Sequence, residues 1–308
     1  MTQFRPRRGF TLIEVLVVVA IVALLISILI PSLANARELS KRAVCLSNLS
    51  QLGVASTGYI NSNKNRFCWG WVDYSVNPPK PRFRSWYFGG DRPTGEGFSW
   101  WNPGAWYAMD ASRKPLNRYV TPSKLGRNAA LPVFRCPDDW GGAISDQPFD
   151  PPTPKPAYVV WGTSYQANTA WQYYAQDKAE PGWGQNLSGS VDEGDRRLLA
   201  MSDKILRIFE KKSASRAILL YEDRADISLA GAVDIPDKTK MPGWHVEPNR
   251  HAYLFVDAHA ENFVLDFKKV MDHTSDQYGR VLYTCNAAIA NCINGTPRWI
   301  ARQDYKEQ

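Results

Sequence analysis

The sequence predicts an α+β fold: a long N-terminal helix, half in a membrane and half soluble, packed on an antiparallel β-sheet with long aromatic-rich loops. Three observations carry this expectation. An apolar run fills residues 10–30. Good helix formers and helically spaced apolar residues then continue to about residue 60. Beyond that no helical period lasts, and short β-rich runs stand between stretches rich in Pro, Gly and aromatics.

Residues 10–30 read FTLIEVLVVVAIVALLISILI, in which only Thr11, Glu14 and Ser27 are not apolar. At 1.5 Å per residue this run spans roughly 30 Å, the thickness of a hydrocarbon core. Arg5, Arg7 and Arg8 precede it. A positive flank before a first apolar helix keeps that end in the cytoplasm, so the chain beyond the span is expected outside. The negative mean hydropathy excludes a multi-span membrane protein and leaves room for one span. A cleavable secretory signal would have a shorter apolar region ending in small residues. A plain anchor has no use for Glu14, because a carboxylate in a span costs on the order of 2.5–3.5 kcal/mol and normally has a partner.

RRGFTLIEVLVVVAIVALLISILIP resembles the class III signal and first helix of type IV pilins and type II secretion pseudopilins. In that family a prepilin peptidase cuts after a glycine and N-methylates the new terminus. The resemblance implies cleavage between Gly9 and Phe10, methylation of Phe10 and an assembly role for Glu14. The chemistry is coherent: cleavage creates a cationic amine at Phe10, and a neighbouring subunit's Glu14 can neutralise it inside an apolar bundle. ANARELSKRAVCLSNLSQLGVASTGYINSNKNRF, LPVFRCPDD at 131–139, TSYQAN at 163–168 and RHAYLFVDAHAENFV at 250–264 resemble segments of the large-domain pseudopilin-like proteins of planctomycete- and lentisphaera-type bacteria.

The resemblance divides the chain into a cytoplasmic leader at 1–9, a transmembrane helix at 10–30, the soluble half of that helix at 31–62 and an extracytoplasmic globular domain at 63–308. It implies a non-enzymatic subunit of a type II secretion pseudopilus or a type IV pilus-like fibre, spanning the inner membrane once. The N-terminus would be cytoplasmic and the large domain periplasmic or extracellular. The implied partners are prepilin peptidase, other pseudopilin subunits and the inner membrane itself. No resident cofactor is implied; calcium occurs in some secretion pseudopilins, but no ligand set transfers to named residues here.

Past the span, Pro31 is expected to be absorbed within the helix, as membrane helices allow. Leu39, Ala43, Leu46 and Leu49 recur at helical spacing and form the expected packing stripe. Gly53 and Gly58 weaken the pattern, and NSNKN at 61–65 reads as a stop. Strands are predicted at 157–160, 217–221 and 252–256, a short helix at 201–212 and a loop at 238–250.

Thirteen aromatics fall between Phe67 and Tyr107, about a third of that segment against 12% of the chain. Trp69, Trp71, Trp86, Trp100, Trp101 and Trp106 are among them. Such rings form a core, or they present flat faces for stacking on sugars, the basis of an alternative function as a membrane-anchored polysaccharide-binding module. Asp257, His259 and Glu261 would share one face of a continuous strand and make a weak metal candidate. The family resemblance instead implies a hairpin with Asp-Gly at its turn. Here Ala258 takes the glycine's place, and positive φ costs a residue with a Cβ about 1–2 kcal/mol.

Five cysteines suit an oxidising compartment. Cys285 with Cys292 closes a short loop; Cys68 with Cys136 and Cys45 with Cys136 are other pairings, and spacing alone does not choose among arrangements. No CxxC or zinc-type spacing occurs. Losing three leader arginines would lower the net charge from +7 to +4, and bases are interleaved with acids, so nucleic acid is not an expected partner. There is no P-loop, GxSxG or HExxH. Glu222 and Asp223 follow AILLY, where polar residues ending a buried strand explain them better than catalysis.

Overall fold

The computed structural model describes residues 11–68, 70–73, 77, 80–83, 88–94, 109–121, 124–140, 156–168, 206–207, 214–215, 218–225, 244–245 and 250–264. The chain divides into two compact units, residues 1–41 and 42–308. Helix α1, Leu12–Ser62, contributes to both and carries Pro31 inside it, as expected of a membrane helix.

In the larger unit, α1 ends where backbone geometry stops it. Lys64 and Asn65 take positive φ values of 57° and 56°. The Asn65 N–H returns to the Ile60 carbonyl at 3.0 Å, and the Asn63 side chain donates to the Tyr59 carbonyl at 2.7 Å. Two of the last turn's free carbonyls, those of Tyr59 and Ile60, are thus satisfied locally.

The face that α1 buries keeps half of the predicted stripe: Leu49 is buried and Leu46 packs against the core. Cys45, Asn48, Leu49, Leu52, Gly53, Ala55, Ser56 and Ile60 are buried, whereas Leu39 is 63% exposed and Ala43 is also exposed. Small and polar side chains make up half of this face, so an apolar count finds only part of it. The glycine that weakened the helix pattern has a packing reason. A Cβ at Gly53 would fall 2.9 Å from Leu254 Cδ1 and 2.9 Å from Ala258 Cβ. Helix and sheet therefore approach more closely there than any side chain on the helix permits.

The sheet has four antiparallel strands in the order β3-β4-β5-β6: β3 Tyr165–Ala167, β4 Ile218–Glu222, β5 Arg250–Phe255 and β6 Ala260–Val264. Tyr165 pairs with Glu222, Tyr221 with Tyr253 and His251 with Phe263. Every residue of β4 is buried, which fits a central strand covered on both faces. Tyr253 and Phe263, diagonal across β5 and β6, stack with centroids 4.2 Å apart. Two predicted strands are thereby found, within a residue or two at each end. The β5–β6 hairpin is also present. Its turn keeps the positive φ, 69° at Ala258, despite the missing glycine.

The predicted strand at 157–160 is instead a helix, α2, Ala157–Trp161. Its β-rich sequence is overridden by an N-terminal cap from elsewhere in the chain and by a glycine stop directly after it. The Asp139 carboxylate accepts hydrogen bonds from the Ala157 and Tyr158 N–H groups, each at 2.8 Å. Gly162 closes the helix with φ of 81°, where a Cβ would collide with the Asp91 carbonyl. Asp139 also receives the Ser164 hydroxyl at 2.6 Å. One carboxylate thus ties the 131–139 segment to the 163–168 segment.

The aromatic-rich region contains a separate two-stranded hairpin, β1 Gly70–Asp73 with β2 Lys80–Phe83. Phe67 and Phe88 are core residues, and Phe88 lies 6.0 Å from the Phe134 ring. Nearby, Lys114 is fully buried and donates to the Gly89 carbonyl at 3.0 Å and the Trp161 carbonyl at 3.3 Å. Burial pulls its pKa down to about 7.

Candidate functional site

The smaller unit is organised by α1. Leu12, Ile13, Leu16, Val19, Leu24 and Ile28 are all more than half exposed, and no side chain from 11 to 37 is buried. This is a helix long and apolar enough to cross a membrane. Its start is a reciprocal cap. The Glu14 N–H donates to Thr11 Oγ1 at 3.3 Å, while Glu14 Oε2 accepts from the Thr11 N–H at 2.8 Å and from its hydroxyl at 2.9 Å. The pattern is a capping box, in which each residue's side chain accepts from the other's orphan backbone N–H. Glu14 therefore has a local partner within its own chain. Gly9 and Phe10 lie outside the described residues.

The larger unit holds a different kind of site. Cys45 on α1 is joined by a disulfide to Cys136, with Cα atoms 5.2 Å apart. The pairing corrects Cys68 with Cys136: Cys68 is a buried free thiol, and burial raises its pKa well above the ordinary value. Cys45 reaches Cys136 because the 131–139 segment lies along α1, where Asn48 donates to the Arg135 carbonyl at 2.9 Å. Beside the disulfide sit Glu222, at the end of β4, and His245, all four residues being 0% exposed. His245 Nε2 is 2.8 Å from Glu222 Oε1. Cys136 Sγ is 3.7 Å from that oxygen and 3.8 Å from that nitrogen. The other carboxylate oxygen accepts from the Ala252 N–H at 3.1 Å.

His251 also faces this carboxylate, with Nδ1 3.9 Å from Glu222 Oε2. At that distance the attraction does not offset burial. Burial, with Arg224 and His245 adding positive charge, pushes the His251 pKa down to about 3. The imidazole is neutral at ordinary pH.

The other sequence-level candidates fare unevenly. Glu222 does end a buried strand, but its carboxylate is the centre of the polar cluster rather than a solvated terminus. Asp257 sits at the far end of the sheet, since the opposite end of β4, Ile218, pairs with Phe255. Glu222 and Asp257 therefore share no cleft. Asp257 Oδ1 contacts His259 Nδ1 at 2.5 Å across the turn, and His259 stacks on Phe255. Glu261 pairs with Tyr253 in β6, and the three do not bring ligand atoms together within 4.8 Å. Trp69, Trp86, Trp100, Trp101 and Trp106, the side chain of Trp71, and the Cys285–Cys292 pair lie outside the described residues. So do most of the predicted 201–212 helix and 238–250 loop.

His245 is the residue that sequence reasoning missed. It is 109 residues from Cys136 and 23 from Glu222, so no motif spacing connects them. The only signal was the open pairing of Cys45 with Cys136.

Comparison with known proteins agrees with this division. The prokaryotic N-terminal methylation motif matches residues 4–30. The type IV major pilin protein PilA of Myxococcus xanthus (strain DK1622) is 40% identical over 68 residues, 22% of this chain and 30% of that protein. The chain thus spans less than a third of that relative's length. No solved structure matches. The family described as protein of unknown function (DUF1559) matches residues 34–194, just over half of the chain. The chain is a member of that family, and its N-terminus is pilin-like.

Proposed function

We propose that the protein is a structural, non-enzymatic subunit of a type II secretion pseudopilus or a type IV pilus-like fibre. In this reading prepilin peptidase cuts between Gly9 and Phe10 and methylates Phe10. The helix then holds the chain in the inner membrane by one pass, with its N-terminus cytoplasmic, and packs against the helices of other subunits. The observation that carries the reading is an exposed apolar helical surface of membrane length with one carboxylate near its start, Glu14. Lipid solvates such a surface before assembly, and neighbouring helices cover it afterwards. The capping box holds Glu14 beside the helix terminus, where a neighbour's amine would need it.

The test is intact mass and N-terminal sequencing of membrane-extracted protein, with and without the peptidase. The expected product starts at Phe10 and carries one methyl group. An intact Met1 in the presence of the peptidase would make the protein a simple anchored domain and end the assembly reading.

A further inference from the structure

The four buried side chains around the Cys45–Cys136 disulfide have the donor set of a tetrahedral metal centre. Their Sγ, Sγ, Nε2 and Oε1 atoms all lie within 4.8 Å of one another. Around a tetrahedral zinc, with bonds of about 2.0–2.3 Å, ligand atoms sit about 3.3–3.8 Å apart. Cys136 Sγ already meets this spacing to both Glu222 Oε1, at 3.7 Å, and His245 Nε2, at 3.8 Å. The His245–Glu222 contact, 2.8 Å, must open by about half an ångström, the two sulfurs must separate, and Cys45 Sγ, already within 4.8 Å of the other ligand atoms, must settle at the same spacing.

The surroundings also suit a metal. Asp138 Oδ2 lies 3.6 Å from His245 Nδ1, beyond hydrogen-bond length here; closing that gap by about half an ångström would give the carboxylate–histidine contact that orients a ligand imidazole. The Tyr165 hydroxyl points at Cys45 Sγ, 3.6 Å away, ready to donate to a thiolate. The Ala252 N–H holds the second oxygen of Glu222, leaving Oε1 directed at the cluster. Arg42 donates to the His245 carbonyl at 2.6 Å, fixing the backbone that carries the ring.

We propose that, when the disulfide is reduced, Cys45, Cys136, His245 and Glu222 bind one Zn²⁺, so that this cluster exchanges between a disulfide form and a zinc form. The exchange is balanced. A dithiol donor gives two electrons and two protons to the disulfide and becomes a disulfide itself. Zn²⁺ then displaces the two thiol protons, and the imidazole proton sits on Nδ1 facing Asp138. The proposal does not depend on helix processing or fibre formation.

The experiment uses the full chain in detergent. It is reduced with a phosphine, exchanged into zinc and freed of excess metal; zinc content and the zinc X-ray absorption edge are then measured. About one zinc per reduced chain is expected, with two sulfur and two nitrogen or oxygen neighbours, and none in the oxidised chain. Cobalt in place of zinc should give a thiolate charge-transfer band. Cys136→Ser or His245→Gln should remove the site. Asp138→Asn should weaken zinc affinity about 10–100-fold. A Cys285→Ser/Cys292→Ser variant should bind zinc unchanged, which keeps the test open if the cluster variants fail to fold. No zinc in the reduced wild-type chain, a metal without sulfur ligands, or loss of zinc in the Cys285→Ser/Cys292→Ser variant would overturn the proposal.

Discussion

The two units of this chain solve opposite problems of solvation. The N-terminal part of α1 exposes apolar side chains along its length and carries a single carboxylate near its start. The globular unit buries Glu222, His245, His251 and Lys114 among apolar residues. In the first, the stabilising surroundings must come from outside the chain, from lipid or other helices. In the second they are built in, through carbonyls, backbone N–H groups and opposite charges. Each unit is therefore vulnerable in a different place. The helix should tolerate substitution in folding and fail in association. The globular unit should fail in folding first.

The largest effect is expected at Glu14. Glu14→Gln keeps a side chain able to complete the capping box but removes the charge. Membrane insertion and processing should persist while fibre formation is lost; fibre yield by electron microscopy, set beside N-terminal sequencing, reads this. Fibres at wild-type abundance would show that the carboxylate serves only the cap.

Glu222→Ala should be the most damaging change to folding in the globular unit. It leaves the buried His245 ring without its 2.8 Å hydrogen-bond partner, and an unsatisfied buried polar group costs about 1–3 kcal/mol. Denaturant unfolding of the detergent-solubilised protein measures it. A loss below about 1 kcal/mol would mean that the pair is not a structural centre.

His251 adds a pH dependence. Its native pKa of about 3 lies below the ordinary 6.5, so between those values the unfolded chain binds more protons. Stability is therefore greatest above pH 6.5 and falls as pH drops toward 3, by about 1 kcal/mol per pH unit. His251→Gln should flatten that slope. An unchanged slope would place the acid sensitivity elsewhere.

The smallest effects concern the helix–sheet contact. Gly53→Ala should cost about 1–3 kcal/mol by overpacking against Leu254 and Ala258. Ala258→Gly should relieve the positive φ and stabilise by up to about 1 kcal/mol. The two sites touch, so the double variant should recover part of the Gly53 loss. Strict additivity of unfolding energies would show that the close approach does not limit packing.

Much of the fold was legible in the residues. The apolar run, the passage through Pro31, the stop near 61–65 and the strands of β4 and β5 all follow from short-range patterns. Those patterns record hydrophobicity and backbone preference over a few neighbours. Where the reading failed, a distant group decided. AYVVW is β-rich, yet Asp139 accepts two hydrogen bonds from its N-terminus and makes it α2. The buried face of α1 was only half read, through Leu46 and Leu49, because a cysteine, a glycine and a serine also belong to it.

The sequence alone determined the membrane-length helix, its basic flank and its lone carboxylate, because a helix in lipid satisfies its own backbone and needs no tertiary partner to be recognised. Tertiary structure alone decided which cysteine pairs with Cys45 and that His245 meets Glu222 beside it. Those contacts join residues 91 and 23 positions apart. No local periodicity encodes them. They arise when the sheet, the 131–139 segment and α1 close around one buried volume, and the polar groups caught inside must find each other.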